Sequence, residues 1–177
     1  LFRSDFWKKQ YDGKHGYEIL ADNTVEELKH IHAVYDLAKE QGDITDSSYE
    51  ALEKRWKDEN AERSEKVEKG EVIYGLKEYT FQLYLDYEIS TLKEKYCNDT
   101  NREGMKLTED EIQEHYQSRE WIFGDSDENA DLEMARIAVE RELREQKYDD
   151  MITQRETGSQ VAGNMENVNR ITLKNIQ

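Results

Sequence analysis

The absence of proline from all 177 residues is the feature that most constrains how this chain can fold. Average usage near 5% would give roughly nine prolines in a chain of this length. Proline breaks helix interiors because it lacks a backbone donor and clashes with the preceding turn. A proline-free chain can therefore form long helices, and any link to proline chemistry would have to concern a substrate.

Apolar residues recur at steps of three and four along most of the chain, which is the spacing of one helix face. A T-x-x-E capping-box pattern at Thr24 and Glu27 predicts a helix start, and Gly42 predicts its end. Thr108 and Glu111 form a second such pattern. No segment alternates strongly enough to predict a sheet, so the sequence predicts an all-α fold.

About six helices are predicted, with short or no β-structure, in a single helical domain spanning residues 1–177. They cover residues 2–11, 24–42, 47–70, 76–96, 109–120 and 130–155, and the third is capped by Asp46 or Thr45. Residues 1–16 are a candidate docking or exchanged arm, and 156–177 are predicted to be loop and tail. Helix 76–96 has the broadest apolar face and is predicted to be central to the core: Phe81, Leu85, Ile89, Leu92 and Tyr96, widened by Tyr84 and Tyr87.

The net charge of −16 excludes the class of proteins that bind nucleic acid through basic patches. It also disfavours anionic membrane surfaces, and no run reaches the roughly 18 apolar residues of a membrane span. A strong negative field keeps a protein soluble and favours cationic or unfolded partners. The 11 tyrosines, three tryptophans and four phenylalanines supply apolar area that disordered chains lack.

Two acidic segments partly match a calcium-binding loop. Segment 125–136 has oxygen-bearing side chains at its early positions but lacks the glycine at position six and the glutamate at position twelve. A second match starts at Asp99, with Gly104 at position six and Asp110 at position twelve. The first segment is typical of acidic residues before a helix. A calcium site at 99–110 stays open, and no metal site is assigned.

No catalytic constellation emerges from the sequence. His30 and His32 are two residues apart and do not share a helix face. Glu27 and His30 provide one Glu-x-x-His spacing, whereas a di-iron centre needs two. The single cysteine, Cys97, has no nearby candidate base and no disulfide partner within the chain. The residues alone therefore predict a binding or scaffolding protein without a cofactor.

Three segments resemble the SurA/PrsA group of bacterial extracytoplasmic chaperone-foldases, over roughly residues 20 to 155. Residues 37–52, "LAKEQGDITDSSYEAL", resemble that group's helix, turn and capped helix. Residues 106–120, "KLTEDEIQEHYQSRE", look like its "v-T-x-x-E-I-x-x-Y-Y" helix, and residues 135–155 look like its closing helix. The resemblance implies a helical module similar to the SurA N-terminal domain.

In that group a parvulin-type prolyl isomerase domain commonly sits between the last two segments. Here the gap between them is too short for a domain of about 100 residues, so we expect no isomerase activity and no enzyme. The resemblance implies an extracytoplasmic protein, secreted or lipid-anchored through a removed N-terminal segment. It would bind unfolded or nascent exported polypeptides.

The candidate peptide-binding residues are aromatic, because tyrosine and its relatives combine large contact area with adaptable contacts. They are Tyr74, Tyr84, Tyr87, Trp121 and Phe123. The stretch Trp121 to Phe123 is predicted to seal the joint between two helices, with Gly124 permitting the turn; partial exposure to a client is the alternative. The competing function is a structural or assembly domain that acts through homodimerisation or partner binding.

Overall fold

A computed structural model describes residues 4–125, 128–159 and 164–176 of the chain. These residues form seven α-helices and one antiparallel pair of short strands, which confirms the prediction of an all-α fold. In chain order the elements are α1 (Ser4–Lys8), β1 (Gln10–Tyr11), β2 (Lys14–His15), α2 (Gly16–Glu40), α3 (Tyr49–Glu68), α4 (Phe81–Asn98), α5 (Glu109–Gln117), α6 (Leu132–Gly158) and α7 (Met165–Asn175).

The chain divides into two compact units. Unit 1 comprises Leu1–Ala33 and Gln154–Gln177, and unit 2 comprises Val34–Thr153. Helices α2 and α6 contribute residues to both units. The prediction of a single domain over residues 1–177 stays a prediction.

A tight hairpin in unit 1 sets the start of α2. Asp12 and Gly13 form its turn with positive φ angles of 50° and 86°, which a two-residue hairpin turn favours. The second strand leads directly into α2 at Gly16, so the predicted helix start at Thr24 is wrong. The hydroxyl of Thr24 instead donates to the Leu20 carbonyl at 2.8 Å, inside the helix.

The C-terminal part of unit 1 is more helical than the sequence predicted. Helix α6 continues to Gly158 and α7 follows, so the prediction of loop and tail over 156–177 is wrong for these helical residues. The side-chain oxygen of Asn164 caps α7 by accepting from the Glu166 and Asn167 amides, at 3.0 and 3.4 Å. Part of the predicted tail, 160–163, lies outside the described residues.

Helix α4 lies at the core of unit 2, as its apolar face predicted. Leu85, Leu92 and Tyr96 are buried along that face. The Thr80 hydroxyl caps the helix by accepting from the Leu83 amide at 3.3 Å. Helix α3 was predicted to be capped by Thr45 or Asp46, but Ser48 caps it by accepting from the Ala51 amide.

Helix α5 begins with the predicted capping box. The Thr108 hydroxyl accepts from the Glu111 amide at 3.3 Å, and the Glu111 carboxylate accepts from the Thr108 amide at 2.8 Å. Lys147 of α6 also donates to this carboxylate. Both residues of the sequence pattern therefore have the roles that a capping box gives them.

Trp121 seals the joint between α5 and α6 as predicted, whereas Ile122 and Phe123, predicted to seal it as well, are 51% and 41% exposed. Trp121 is 3% exposed and packs in a cluster with Ile112, Ala135 and Val139. Its carbonyl accepts from the Ala130 amide at 2.7 Å, which brings the two ends of the connecting loop together. Gly124 turns the chain with a φ angle of 64°, and residues 126 and 127 lie outside the described residues.

Candidate functional site

An exposed group of apolar side chains lies on the segment between α3 and α4 and on the adjacent outer face of α4. Val72 and Tyr74 are 80% and 88% exposed. Leu76 on the same segment and Leu83 and Tyr87 on α4 are each between two-fifths and one-half exposed. We call these five residues the aromatic surface. Large exposed apolar patches mark interaction sites in soluble proteins.

Arg63 of α3 fixes the segment that carries this surface. One guanidinium nitrogen donates to the carbonyls of Tyr74 and Leu76, at 3.0 and 2.8 Å. Another donates to the Tyr79 hydroxyl at 3.2 Å, and the guanidinium carbon lies 4.5 Å from the centroid of that ring. The Glu59 carboxylate accepts from Nε at 2.8 Å and orients the group. One largely buried arginine therefore holds the segment at three points.

The backbone of Tyr79 provides a second attachment. Its carbonyl accepts from Trp56 Nε1 and from the Asn60 amide nitrogen, each at 2.8 Å. Its own amide donates to the Asn60 side-chain oxygen at 2.8 Å. The segment is therefore attached to α3 at Tyr74, Leu76 and Tyr79, and the Tyr74 side chain faces solvent from an anchored backbone.

A cluster of tyrosine rings supports the surface from behind. Tyr79 stacks on Tyr87, with ring centroids 5.2 Å apart and planes 16° apart. The Tyr84 ring lies 6.4 Å from Tyr79 and 6.2 Å from Tyr87, a distance at which aromatic pairs attract. This stacking gives Tyr87 a fixed orientation while leaving part of its ring exposed.

Beneath the cluster, Glu88 is the centre of a buried polar network. Both of its oxygens accept from Arg55, at 2.7 and 3.0 Å. The Tyr35 and Tyr84 hydroxyls also donate to this carboxylate, at 2.5 and 2.8 Å. Burial, followed by the hydrogen bond to Glu88, raises the pKa of both tyrosines well above the ordinary value of 10. The phenols therefore stay protonated and act as donors.

The five predicted peptide-binding residues differ in their exposure. Tyr74, Tyr87 and Phe123 have exposed rings. Tyr84 and Trp121 are buried, because the first donates to Glu88 and the second fills the joint between α5 and α6. Their rings are not available to a client in this structure. Binding of a polypeptide by the three exposed residues stays a prediction.

Sequence reasoning missed Arg55, Arg63 and Glu88, which build the site. A signal for Glu88 was present, because it occupies a position of the apolar stripe on α4, three residues after Leu85 and four before Leu92. A glutamate at a core position needs a cationic partner. No comparable local signal marks the two arginines, because they meet their partners only after α3 and α4 pack together.

The candidate metal-binding segments and the single cysteine can be compared with the structure of the described residues. Across 4–125, 128–159 and 164–176, no three His, Cys, Asp or Glu residues converge to hold a metal ion. In the candidate calcium segment, the Asp99 carboxylate already accepts from the Asn101 amide at 3.0 Å and from Arg102 at 3.4 Å. Burial raises the pKa of the Cys97 thiol to about 11, so it is protonated at neutral pH.

None of the helices formed by the described residues is both long enough and apolar enough to span a bilayer.

The fold and the site together define an all-α protein with an anchored, exposed aromatic surface. Comparison with known proteins finds similarity to a protein of the chaperone class.

The particular relative is described as "Chaperone for lacto-N-biosidase", from Bifidobacterium longum subsp. longum. The two sequences are 31% identical over 151 residues, which cover 85% of this chain and 54% of the relative. The chain thus spans about half the length of the curated relative it matches. No protein-family model matches the chain, and no solved structure matches it.

Proposed function

We propose that this chain is a chaperone module that binds non-native polypeptide on the aromatic surface. The observation that carries the proposal is the exposure of Val72 and Tyr74 on a backbone that Arg63 holds in place. Burying a large apolar side chain stabilises a contact by about 1.5–3 kcal/mol. An anchored surface offers that contact area without first having to become ordered.

The similarity to a chaperone supports this function over a purely structural one. It extends over 85% of the chain, so it includes both the aromatic surface and the α5–α6 joint. The relative is named for its client, lacto-N-biosidase. For this chain we propose unfolded or nascent exported polypeptides as clients, and a dedicated enzyme client is the narrower form of the same proposal.

Extracytoplasmic location and membership of the SurA/PrsA group are part of the proposal. The resemblance of the three helical segments supports both. Fractionation of the host cell, with mass spectrometry of the mature N-terminus, tests the location. Recovery of the protein with the cytosol would contradict it.

The proposal assigns no chemical reaction to the chain. A proline-peptide isomerisation assay should give the uncatalysed rate, because the connection between α5 and α6 is too short for a parvulin domain of about 100 residues. Homodimerisation stays a prediction, and light scattering over a concentration series tests it.

Suppression of aggregation tests the function directly. A reporter enzyme is unfolded by heat, and its light scattering is followed with and without the full chain at near-stoichiometric ratio. We expect suppression by the unchanged chain and loss of most of it in a Val72→Ser, Tyr74→Ser variant. The matched control is Met134→Ser, Ile137→Ser, because these side chains on α6 are 71% and 85% exposed.

The control variant should suppress aggregation as well as the unchanged chain does. Equal loss in both variants would mean that any exposed apolar group contributes, and it would remove the aromatic surface from the proposal. No suppression by the unchanged chain over a range of clients, including a lacto-N-biosidase, would overturn the chaperone function itself.

A further inference from the structure

Charge is distributed differently on α3 and on the aromatic surface. Along α3 five of the seven carboxylates are paired with cations one turn away, each at 2.5 to 2.9 Å: Glu53 with Lys57, Asp58 with Lys54, Glu59 with Arg63, Glu62 with Lys66 and Glu65 with Lys69. Such pairs cancel most of each other's field at the distance of an approaching partner.

Three exposed carboxylates around the aromatic surface lack a direct ion pair of this kind. Glu71, Glu78 and Asp86 are exposed, and none forms an ion pair with a residue in the described part of the chain. The Asp86 carboxylate accepts a hydrogen bond from the Gln82 side-chain amide at 3.0 Å. Lys77 is the single basic residue in the sequence from 71 to 87. The apolar contacts therefore lie within a locally negative field.

A cation–π contact is already present beside the aromatic surface. The Arg63 guanidinium lies 4.5 Å from the centroid of Tyr79, which in turn stacks on Tyr87. Cation–π contacts of this kind are made more often by arginine than by lysine. Tyr74, with its ring almost fully exposed, offers the same face to a partner.

From this charge complementarity we infer that the aromatic surface selects client segments in which arginine or lysine alternates with large apolar residues. The inference rests on the proposed function and specifies which part of an unfolded client is held. The apolar side chains of the segment would cover Val72, Leu76 and Leu83. Its cations would meet the carboxylates of Glu71, Glu78 and Asp86.

Two labelled peptides of identical apolar sequence test the inference, one carrying three arginines and the other three glutamates at the same positions. Fluorescence anisotropy with the full chain gives their dissociation constants at low salt and at 0.5 M salt. We expect the arginine peptide to bind about tenfold more tightly at low salt, because each exposed charge pair contributes modestly. The difference should shrink to about twofold at high salt, where the Debye length falls to a few ångströms.

Charge variants locate the effect. Glu71→Gln, Glu78→Gln, Asp86→Asn should remove most of the preference while the apolar part of the binding remains. The matched control is Glu114→Gln, Glu120→Gln, Asp150→Asn, which changes the net charge equally at three exposed carboxylates that form no ion pair with described residues. It should keep the preference.

Equal, salt-independent binding of the two peptides would overturn the inference, and so would equal loss of preference in both charge variants. In either case the proposed function stands as long as Val72→Ser, Tyr74→Ser still weakens binding of both peptides and abolishes aggregation suppression. Failure of both peptides to bind overturns the inference as well. If the unchanged chain also fails to suppress aggregation, the proposed function fails with it.

Discussion

Arg55 and Arg63 lie eight residues apart on α3, about two helical turns. Both contact tyrosines, but those around Arg55 are buried, whereas the segment that Arg63 holds is exposed. Arg55 pairs with the buried carboxylate of Glu88, to which two tyrosines donate, and closes a polar network inside unit 2. Arg63 donates to backbone carbonyls of an exposed segment and leaves Tyr74 in solvent. Arginine and tyrosine therefore form part of the core at Arg55 and support an exposed surface at Arg63.

The difference lies in what each arginine binds. A carboxylate inside the protein must be paired and hydrogen-bonded, so the Arg55 network draws Tyr35 and Tyr84 inward. Backbone carbonyls hold a chain segment without burying its side chains. Stability should therefore depend mainly on the Arg55 network, and client binding should depend mainly on the Arg63 anchor.

Removal of the buried carboxylate should have the largest effect. Glu88→Ala leaves Arg55 without its partner, and breaking a pair of this kind should lower the free energy of unfolding by about 3 kcal/mol. Urea denaturation measures the change. Glu62→Ala on the solvent face of α3, where the pair with Lys66 is exposed, should leave the denaturation midpoint close to that of the unchanged chain. A midpoint equal in both variants would show that the network does not stabilise unit 2.

Removal of Arg63 should destabilise the fold less than removal of Glu88 does, and it should weaken client binding more. We expect Arg63→Ala to lower the free energy of unfolding by about 1–2 kcal/mol, since several hydrogen bonds to partly solvated groups are lost. It should also speed tryptic cleavage at Lys77 and weaken aggregation suppression, although Arg63 lies behind the aromatic surface. Arg141→Ala on α6, at an exposed arginine, is the control. Full suppression together with unchanged proteolysis in Arg63→Ala would contradict the anchoring role.

The free energy of unfolding at high pH should depend on the buried tyrosines and not on the exposed ones. The pKa values of Tyr35 and Tyr84 are raised in the folded state, so their contribution is fully present below the unfolded pKa of 10 and falls as pH rises above it. The loss should approach about 1.4 kcal/mol per pH unit for each tyrosine. Urea denaturation from pH 9 to 11.5 measures this slope. Tyr35→Phe should reduce it and Tyr74→Phe should not; equal slopes in both variants would contradict the assignment.

Local patterns predicted much of the fold because the groups involved are close in sequence. The capping box at Thr108 and the apolar stripe of α4 depend on contacts within one helix, and both are present. The similar pattern at Thr24 failed because the hairpin before α2 extends the helix to Gly16. A hairpin this short has no alternating pattern that would reveal it.

The site was less predictable because the exposure of its side chains depends on how separate segments pack against one another. Tyr74, Tyr84 and Tyr87 have the same chemistry in the sequence, but only Tyr84 reaches Glu88 and becomes buried. Trp121 is buried by residues of the two helices that flank it, Ile112 of α5 and Ala135 and Val139 of α6, and this burial depends on how those helices pack. A list of aromatic residues can name a region, whereas packing decides which rings remain available to a partner.

Site-specific crosslinking tests most directly whether the anchored aromatic surface holds the client. A photoreactive benzoylphenylalanine is placed at Tyr74 in one variant and at Ile137, which is equally exposed, in another. Each full-length variant is irradiated with an unfolded client and with the same client folded. We predict crosslinks from position 74 to the unfolded client alone and none above background from position 137. Equal crosslinking from the two positions, or none from position 74, would contradict the assignment of this surface as the client-binding site.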